Sequence, residues 1–116
     1  LVVLKLLDSL PDSRSGRILA GQLGRSGTSV GANYRAACRS RSTAEMVSKL
    51  SVVEEEADES GFWIELIEEH GLKTARQVAA LKQEAGELTA IMVASRRTLQ
   101  RRDAQSKIKN PKSKIQ

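Results

Sequence analysis

Two adjacent stretches decide the fold: Ser13–Arg41, SRSGRILAGQLGRSGTSVGANYRAACRSR, and Ser42–His70, STAEMVSKLSVVEEEADESGFWIELIEEH. The first carries Arg14, Arg17, Arg25, Arg35, Arg39 and Arg41 and no acid. The second carries Glu45, Glu54, Glu55, Glu56, Asp58, Glu59, Glu65, Glu68 and Glu69 against one base, Lys49. Where they meet, Ser42-Thr43-Ala44-Glu45 has the order of a capping box: the serine hydroxyl accepts from the amide of Glu45, and the glutamate reaches back to the amide of Ser42. A helix start at Ser42 makes the two stretches antiparallel helices joined by a tight turn. Each is then the electrostatic complement of the other, since an opposite charge nearby favours both ionised forms.

Outward from this hairpin, apolar residues recur at three- and four-residue spacing. Asp12 or Ser13 caps a helix whose stripe is Leu19, Leu23, Gly27, Val30, Tyr34 and Ala37, ending near Arg39 to Arg41. The acidic helix shows Met46, Leu50, Val53, Ala57, Gly61, Ile64 and Ile67, widened by Val47, Phe62 and Trp63, and stops at His70-Gly71. Thr74-Ala75-Arg76-Gln77 is a second, weaker capping box, followed by Val78, Leu81, Ala85, Leu88, Ile91 or Met92, Ser95 and Leu99. Before the hairpin, the run from Leu1 to about Ser9 reads as helix already in mid-pattern, as if its first turns were missing, and Leu10-Pro11-Asp12 ends it. It is shorter than a membrane span, lacks a basic leader and has no small-residue cleavage site before Pro11. Past Arg102 the period fails and Asn110-Pro111 excludes further helix. The expectation is an all-α, antiparallel up-and-down four-helix bundle over residues 1–102, with a disordered basic tail over 103–116.

Bulk properties agree. A chain of 116 residues suits one core and is too short for two. With aromatics at 3% (Tyr34, Phe62, Trp63), burial falls to aliphatic residues, as in helix-on-helix packing. The single Cys38 forms no intramolecular disulfide, which fits a reducing cytoplasm, and no stretch spans a membrane. The net charge of +5 is concentrated at the end. Arg96, Arg97, Arg101, Arg102, Lys107, Lys109, Lys112 and Lys114 face only Asp103, a block that is either a solvated tail or a polyanion-binding arm.

The second helix carries five glycines, Gly16, Gly21, Gly24, Gly27 and Gly31, each costing about 1 kcal/mol relative to alanine in a helix interior. Close approach of another helix over Gly24, Gly27 and Gly31 compensates. A phosphate-binding loop is excluded, because neither the preceding strand nor the Gly-Lys-Ser/Thr ending is present.

Gln22-Leu23-Gly24-Arg25-Ser26 through Ala32-Asn33-Tyr34, with Arg39-Ser40-Arg41-Ser42, Lys49-Leu50 and the run Glu54 to Glu59, resembles the four-helix-bundle proteins encoded in intervening sequences of 23S ribosomal RNA genes. The likeness extends from Leu1 to about Leu99. It implies an up-and-down bundle assembled into a ring-shaped homopentamer, with no established enzymatic activity. Where the family commonly reads Ile-Ala-Glu-Gly after the asparagine, this chain reads Tyr34-Arg35-Ala36-Ala37. More distantly, fold and assembly resemble the accessory protein of diversity-generating retroelements, which implies a reverse transcriptase and its RNA as partners.

Catalysis and metal binding find little footing. A di-iron bundle needs Glu-x-x-His pairs, but the one histidine, His70, follows Ile67 at that spacing. Cys38 and His70 fall near opposite ends of a hairpin that turns at Ser42, so they make no dyad. No cofactor is expected. Arg25 comes level with Asp58 and Glu59 of its own hairpin. Arg35 and Arg39 lack enough local acids, and are expected with Gly24, Gly27, Gly31 and Trp63 at an interface between subunits. With so few aromatics for base stacking, any contact with RNA or DNA is electrostatic, through the basic end of the fourth helix and the tail. The expectation is a non-enzymatic homo-oligomeric scaffold that engages structured nucleic acid or a nucleoprotein. The alternatives are a protein-binding adaptor whose charge asymmetry serves only self-assembly, and an enzyme with an unrecognised site.

Overall fold

The computed structural model describes residues 2–109, which form α1 (Val2–Ser9), α2 (Arg14–Cys38), α3 (Thr43–Glu69) and α4 (Ala75–Lys109), with no strand among them. The helices lie side by side in a four-helix, all-α array measuring 60 × 21 × 19 Å. The acidic helix α3 is central, packed along both α2 and α4, while the short α1 lies on α2.

Local chemistry sets each boundary. The Ser13 hydroxyl caps α2 by accepting from Gly16 N at 3.0 Å. A Cβ at Gly16 would come within 2.1 Å of the Pro11 carbonyl oxygen, so the chain entering α2 passes where only glycine leaves room. Ser42 caps α3, accepting from Glu45 N at 3.1 Å. The return half of this box differs from expectation: Glu45 Oε2 accepts from Arg41 N at 3.3 Å, one residue before the cap. The fully reciprocal box is instead at α4, where Gln77 N donates to Thr74 Oγ1 at 3.2 Å and Thr74 N to Gln77 Oε1 at 2.9 Å. Helix α3 ends in a Schellman turn: Leu72 N donates to Ile67 O, Gly71 N to Glu68 O, and Gly71 takes φ 77°.

Burial follows the predicted stripes with four differences. Leu19, Leu23 and Ala37 of α2, Leu50, Val53, Ala57, Ile64 and Ile67 of α3, and Val78, Ala85 and Met92 of α4 are buried. Met92 takes the inward position and Ile91 the outward one. Tyr34 and Phe62, expected on the apolar faces, are about half exposed. Two serines replace them inside. Ser60 Oγ lies 2.9 Å from Ser26 Oγ in hydrogen-bonded contact, both are buried, and their small size lets α2 approach α3 closely.

The larger side chains gather in two clusters. One joins Leu19, Leu23, Ile64, Ile67 and Val78 near the start of α2, with Leu6, Leu7 and Trp63 packed around it. The other joins Ala37, Leu50, Val53 and Met92 at the far end.

Helix α4 continues seven residues past Arg102, so Asp103–Lys109 is helical and not part of a disordered tail. Loss of the apolar period removes burial without stopping a helix already running, since each added residue gains a backbone hydrogen bond for little further ordering. Lys107 also sits 3.2 Å from Asp103, one turn earlier. The remainder of the expected tail, 110–116, lies outside the described residues.

Candidate nucleic-acid interface

On the last turns of α4, the expected basic positions divide into free and engaged groups. Arg97, Arg101 and Arg102 are exposed, and no ion pair is formed by them among the described residues. Arg97 and Arg101, one turn apart, border a shallow depression with Gln100 and Ala104. Arg96 points the other way: its Nε donates to Glu54 Oε2 at 2.9 Å in a partly buried pair joining α4 to α3, and its Nη1 to Gln100 Oε1. Positions 96 and 97 differ by about 100° around the axis, and Arg96 is the one turned toward α3. Lys107 is exposed and pairs with Asp103. The side chain of Lys109, and all of Lys112 and Lys114, lie outside the described residues.

The residues expected between subunits also separate. Arg35 and Arg39 are exposed with no carboxylate in pairing distance among the described residues, and the exposed Glu55, Asp58 and Glu65 of α3 are equally unmatched. Arg25 pairs within the chain, across α2 to α3. Its Nη1 donates to Glu56 Oε2 at 3.2 Å and its Nη2 bonds Glu59, so Glu56 stands where Asp58 was expected. The bond to Glu59 holds the Arg25 guanidinium above its ordinary range. In return the guanidinium bond, helped by Trp63 Nε1 donating at 3.3 Å and opposed by partial desolvation, holds the Glu59 carboxyl below its ordinary range. Trp63 is thus tied to a side chain of its own chain, its ring edge-to-face with Phe62 at a centroid distance of 4.9 Å.

Helix α1 occupies two rungs of the glycine ladder: a Cβ at Gly24 would lie 3.2 Å from Leu7 Cδ1, and one at Gly27 would lie 3.1 Å from Val3 Cγ1. Gly31 is exposed, with nothing within 4 Å of a Cβ built there.

No group of three or more His, Cys, Asp or Glu among the described residues is arranged to hold a metal ion. Cys38 is exposed at the end of α2. His70 Nε2 instead meets Ser15 Oγ at 3.1 Å, near the other end of that helix and so about 35 Å from Cys38 along its axis. Sequence periodicity carries no signal for that serine contact, nor for Arg96–Glu54, because both follow from which helix faces which. No described helix is long and apolar enough to cross a membrane.

The family described as 23S rRNA-intervening sequence protein matches residues 1–94. Among solved structures, a protein of unknown function from the S23 ribosomal protein family of Bacteroides thetaiotaomicron is 28% identical, with 79% of this chain and 85% of that one covered and a TM-score of 0.74. No curated protein matches. Four helices in this order, with the Gln22 to Tyr34 segment forming the middle of α2, agree with a match that runs from the first residue into the second half of α4, and the chain belongs to the 23S rRNA-intervening sequence protein family.

Proposed function

We propose that the protein is a non-enzymatic, homo-oligomeric scaffold whose α4 end engages structured nucleic acid or a nucleoprotein through charge. The observation that carries this reading is the set Arg97, Arg101 and Arg102, exposed and without an ion pair among the described residues, in the last part of a helix where the adjacent Arg96 is committed to Glu54. Guanidinium groups in that state bind phosphate without first breaking an internal pair. Repetition around an oligomer multiplies the contacts. Self-assembly is supported by Arg35 and Arg39 on α2 and by Glu55, Asp58 and Glu65 on α3, all exposed and unmatched among the described residues, which can pair between α2 of one copy and α3 of the next. Such a contact is head-to-tail and closes into a ring when the rotation permits, in keeping with the pentamer implied by the family resemblance.

The test is fluorescence anisotropy with unrelated RNA and DNA duplexes across a salt series, alongside light scattering for mass. Binding should weaken with salt by about 0.9 log units per log unit of salt for each DNA phosphate neutralised. Replacing Arg97, Arg101 and Arg102 with Gln should reduce both affinity and slope at unchanged mass. Arg39→Glu should lower the mass while far-ultraviolet circular dichroism is retained. Absence of binding at low salt would replace the nucleic-acid reading with the adaptor, for which only the assembly contacts have a role.

A further inference from the structure

The outward faces of α2 and α3 carry opposite charge. With each residue turning the helix by about 100°, Thr28, Ala32, Arg35 and the capping Arg39 fall within a sector of about 60°, on the side of α2 remote from the buried Ala37. All four are exposed and none is acidic. On α3, Glu55, Asp58, Phe62, Glu65 and Glu69 fall within about 80°, turned away from the buried Val53 and Ile64, and all five are exposed. None of these charges has an ion-pair partner among the described residues. Phe62 stands half exposed amid the carboxylates, braced on one side by Trp63. Beside it a hollow of about 500 Å³ runs over Gly61 and Gly86 between α3 and α4, lined also by Asp58 and Glu65.

The two stripes match in length: Thr28 to Arg39 spans about 16 Å of helix, and Glu55 to Glu65 about 15 Å. Set antiparallel, Arg39 meets Glu55, Arg35 meets Asp58, the small Ala32 lies under Phe62, and Thr28 comes level with Glu65. Set parallel, the pairs become Arg39 with Glu69 and Arg35 with Glu65. Direction separates the two. A head-to-tail ring whose axis runs along the rod keeps every copy pointing the same way. Helices α2 and α3 are antiparallel within a copy, so in that ring they are antiparallel across the contact as well. Antiparallel neighbours also set opposite ends of the helix dipoles side by side.

We propose that the acidic face of α3 is the seat of α2 from a second copy of this chain, packed antiparallel, with Arg39 on Glu55, Arg35 on Asp58 and Phe62 over Ala32. The stem of Arg35 lies along the Phe62 ring at the hollow over Gly61, where the aromatic face adds to the pull of the carboxylate on the guanidinium. The inference rests on the self-assembly reading, and adds to it the faces that meet, their direction and an aromatic contact. Charge fixes the register of this contact, and the ring supplies its apolar centre.

The experiment measures the mass of the 116-residue chain by light scattering after size exclusion. Arg39→Glu and Glu55→Arg should each lower the mass, and the chain carrying both should recover it. Arg39→Glu with Glu69→Arg, the exchange a parallel contact requires, should not. Phe62→Ala should lower the mass with circular dichroism retained. As an independent readout, Thr28→Cys with Glu65→Cys in a Cys38→Ser chain should form covalent multimers on oxidation at least tenfold faster than Thr28→Cys with Asp58→Cys, a pair about 10 Å out of register. Recovery through Glu69→Arg, faster cross-linking of the Asp58→Cys pair, or unchanged mass in both single charge variants overturns this contact and leaves self-assembly standing. A monomeric mass for the unaltered chain overturns self-assembly and the contact together.

Discussion

Gly16 and Gly21 lie in one helix and demand opposite things of a side chain. A Cβ at Gly16 collides with the Pro11 carbonyl, a backbone atom that cannot swing aside, whereas a Cβ at Gly21 meets nothing within 4 Å. Gly16→Ala should lower stability by about 1 to 3 kcal/mol, the usual range for overpacking. Gly21→Ala should raise it by about 0.5 to 1 kcal/mol through helix propensity and a less disordered unfolded chain. Urea denaturation of both variants checks the pair, and equal effects would contradict the close passage at Pro11. Glu59 supplies a prediction in pH. Its carboxyl is held below its ordinary range, first by Arg25 and then by Trp63, so the group binds a proton more weakly when folded than when unfolded. Its contribution is fully present above the unfolded value of about 4.3 and is lost as pH falls through the lower folded value. Glu59→Gln should therefore shift the urea midpoint downward at pH 7, and the two proteins should converge as pH falls through the lower folded value. A gap that persists in acid would assign the effect to packing.

At the scale of helices, much could be read from the chain because caps and stops are short-range chemistry. Ser13, Ser42, Thr74 and Gly71 act on amides or dihedrals within a few residues, and each boundary they mark is observed. What periodicity missed depends on neighbours. Serine reads as surface, yet Ser26 and Ser60 are inside because each supplies the other's partner across the α2–α3 seam, and Ser60 also lies 2.8 Å from the Glu56 carbonyl. Tyr34 reads as core, yet it is about half exposed. Arg96 looks like its neighbours in any charge count, and only the facing helix distinguishes it. The basic residues of the candidate interface were legible as a block, but the division of labour within the block was not. The serine pair makes a testable seam: Ser60→Ala alone leaves the buried Ser26 hydroxyl with only its long 3.4 Å bond to the Leu23 carbonyl and should cost about 1 to 3 kcal/mol, while adding Ser26→Ala should recover part of that loss. A double-mutant cycle measures the coupling, and strictly additive costs would show that the hydroxyls act independently.

Across the whole molecule, the two clusters of large side chains are unequal. The one built on Leu19, Leu23, Ile64, Ile67 and Val78 gathers eight further partly buried apolar residues, and the one built on Ala37, Leu50, Val53 and Met92 gathers three. Between them α3 crosses its neighbours with Ala57, Ser60 and Gly61, which bring backbones close but bury little hydrocarbon. Hydrophobic stabilisation scales with apolar area, so the half holding Met92 has less to keep it closed. Amide hydrogen exchange on the 116-residue chain should show the segment around Leu50 and Val53 and the turns around Met92 exchanging ahead of those around Ile64 and Val78; uniform protection along α3 would refute this. Two unequal clusters along one rod give it a direction of fraying. Sub-global opening would begin at the end that bears Arg97 and Arg101, allowing the cationic turns to reorient against an irregular surface while the α1 end remains folded.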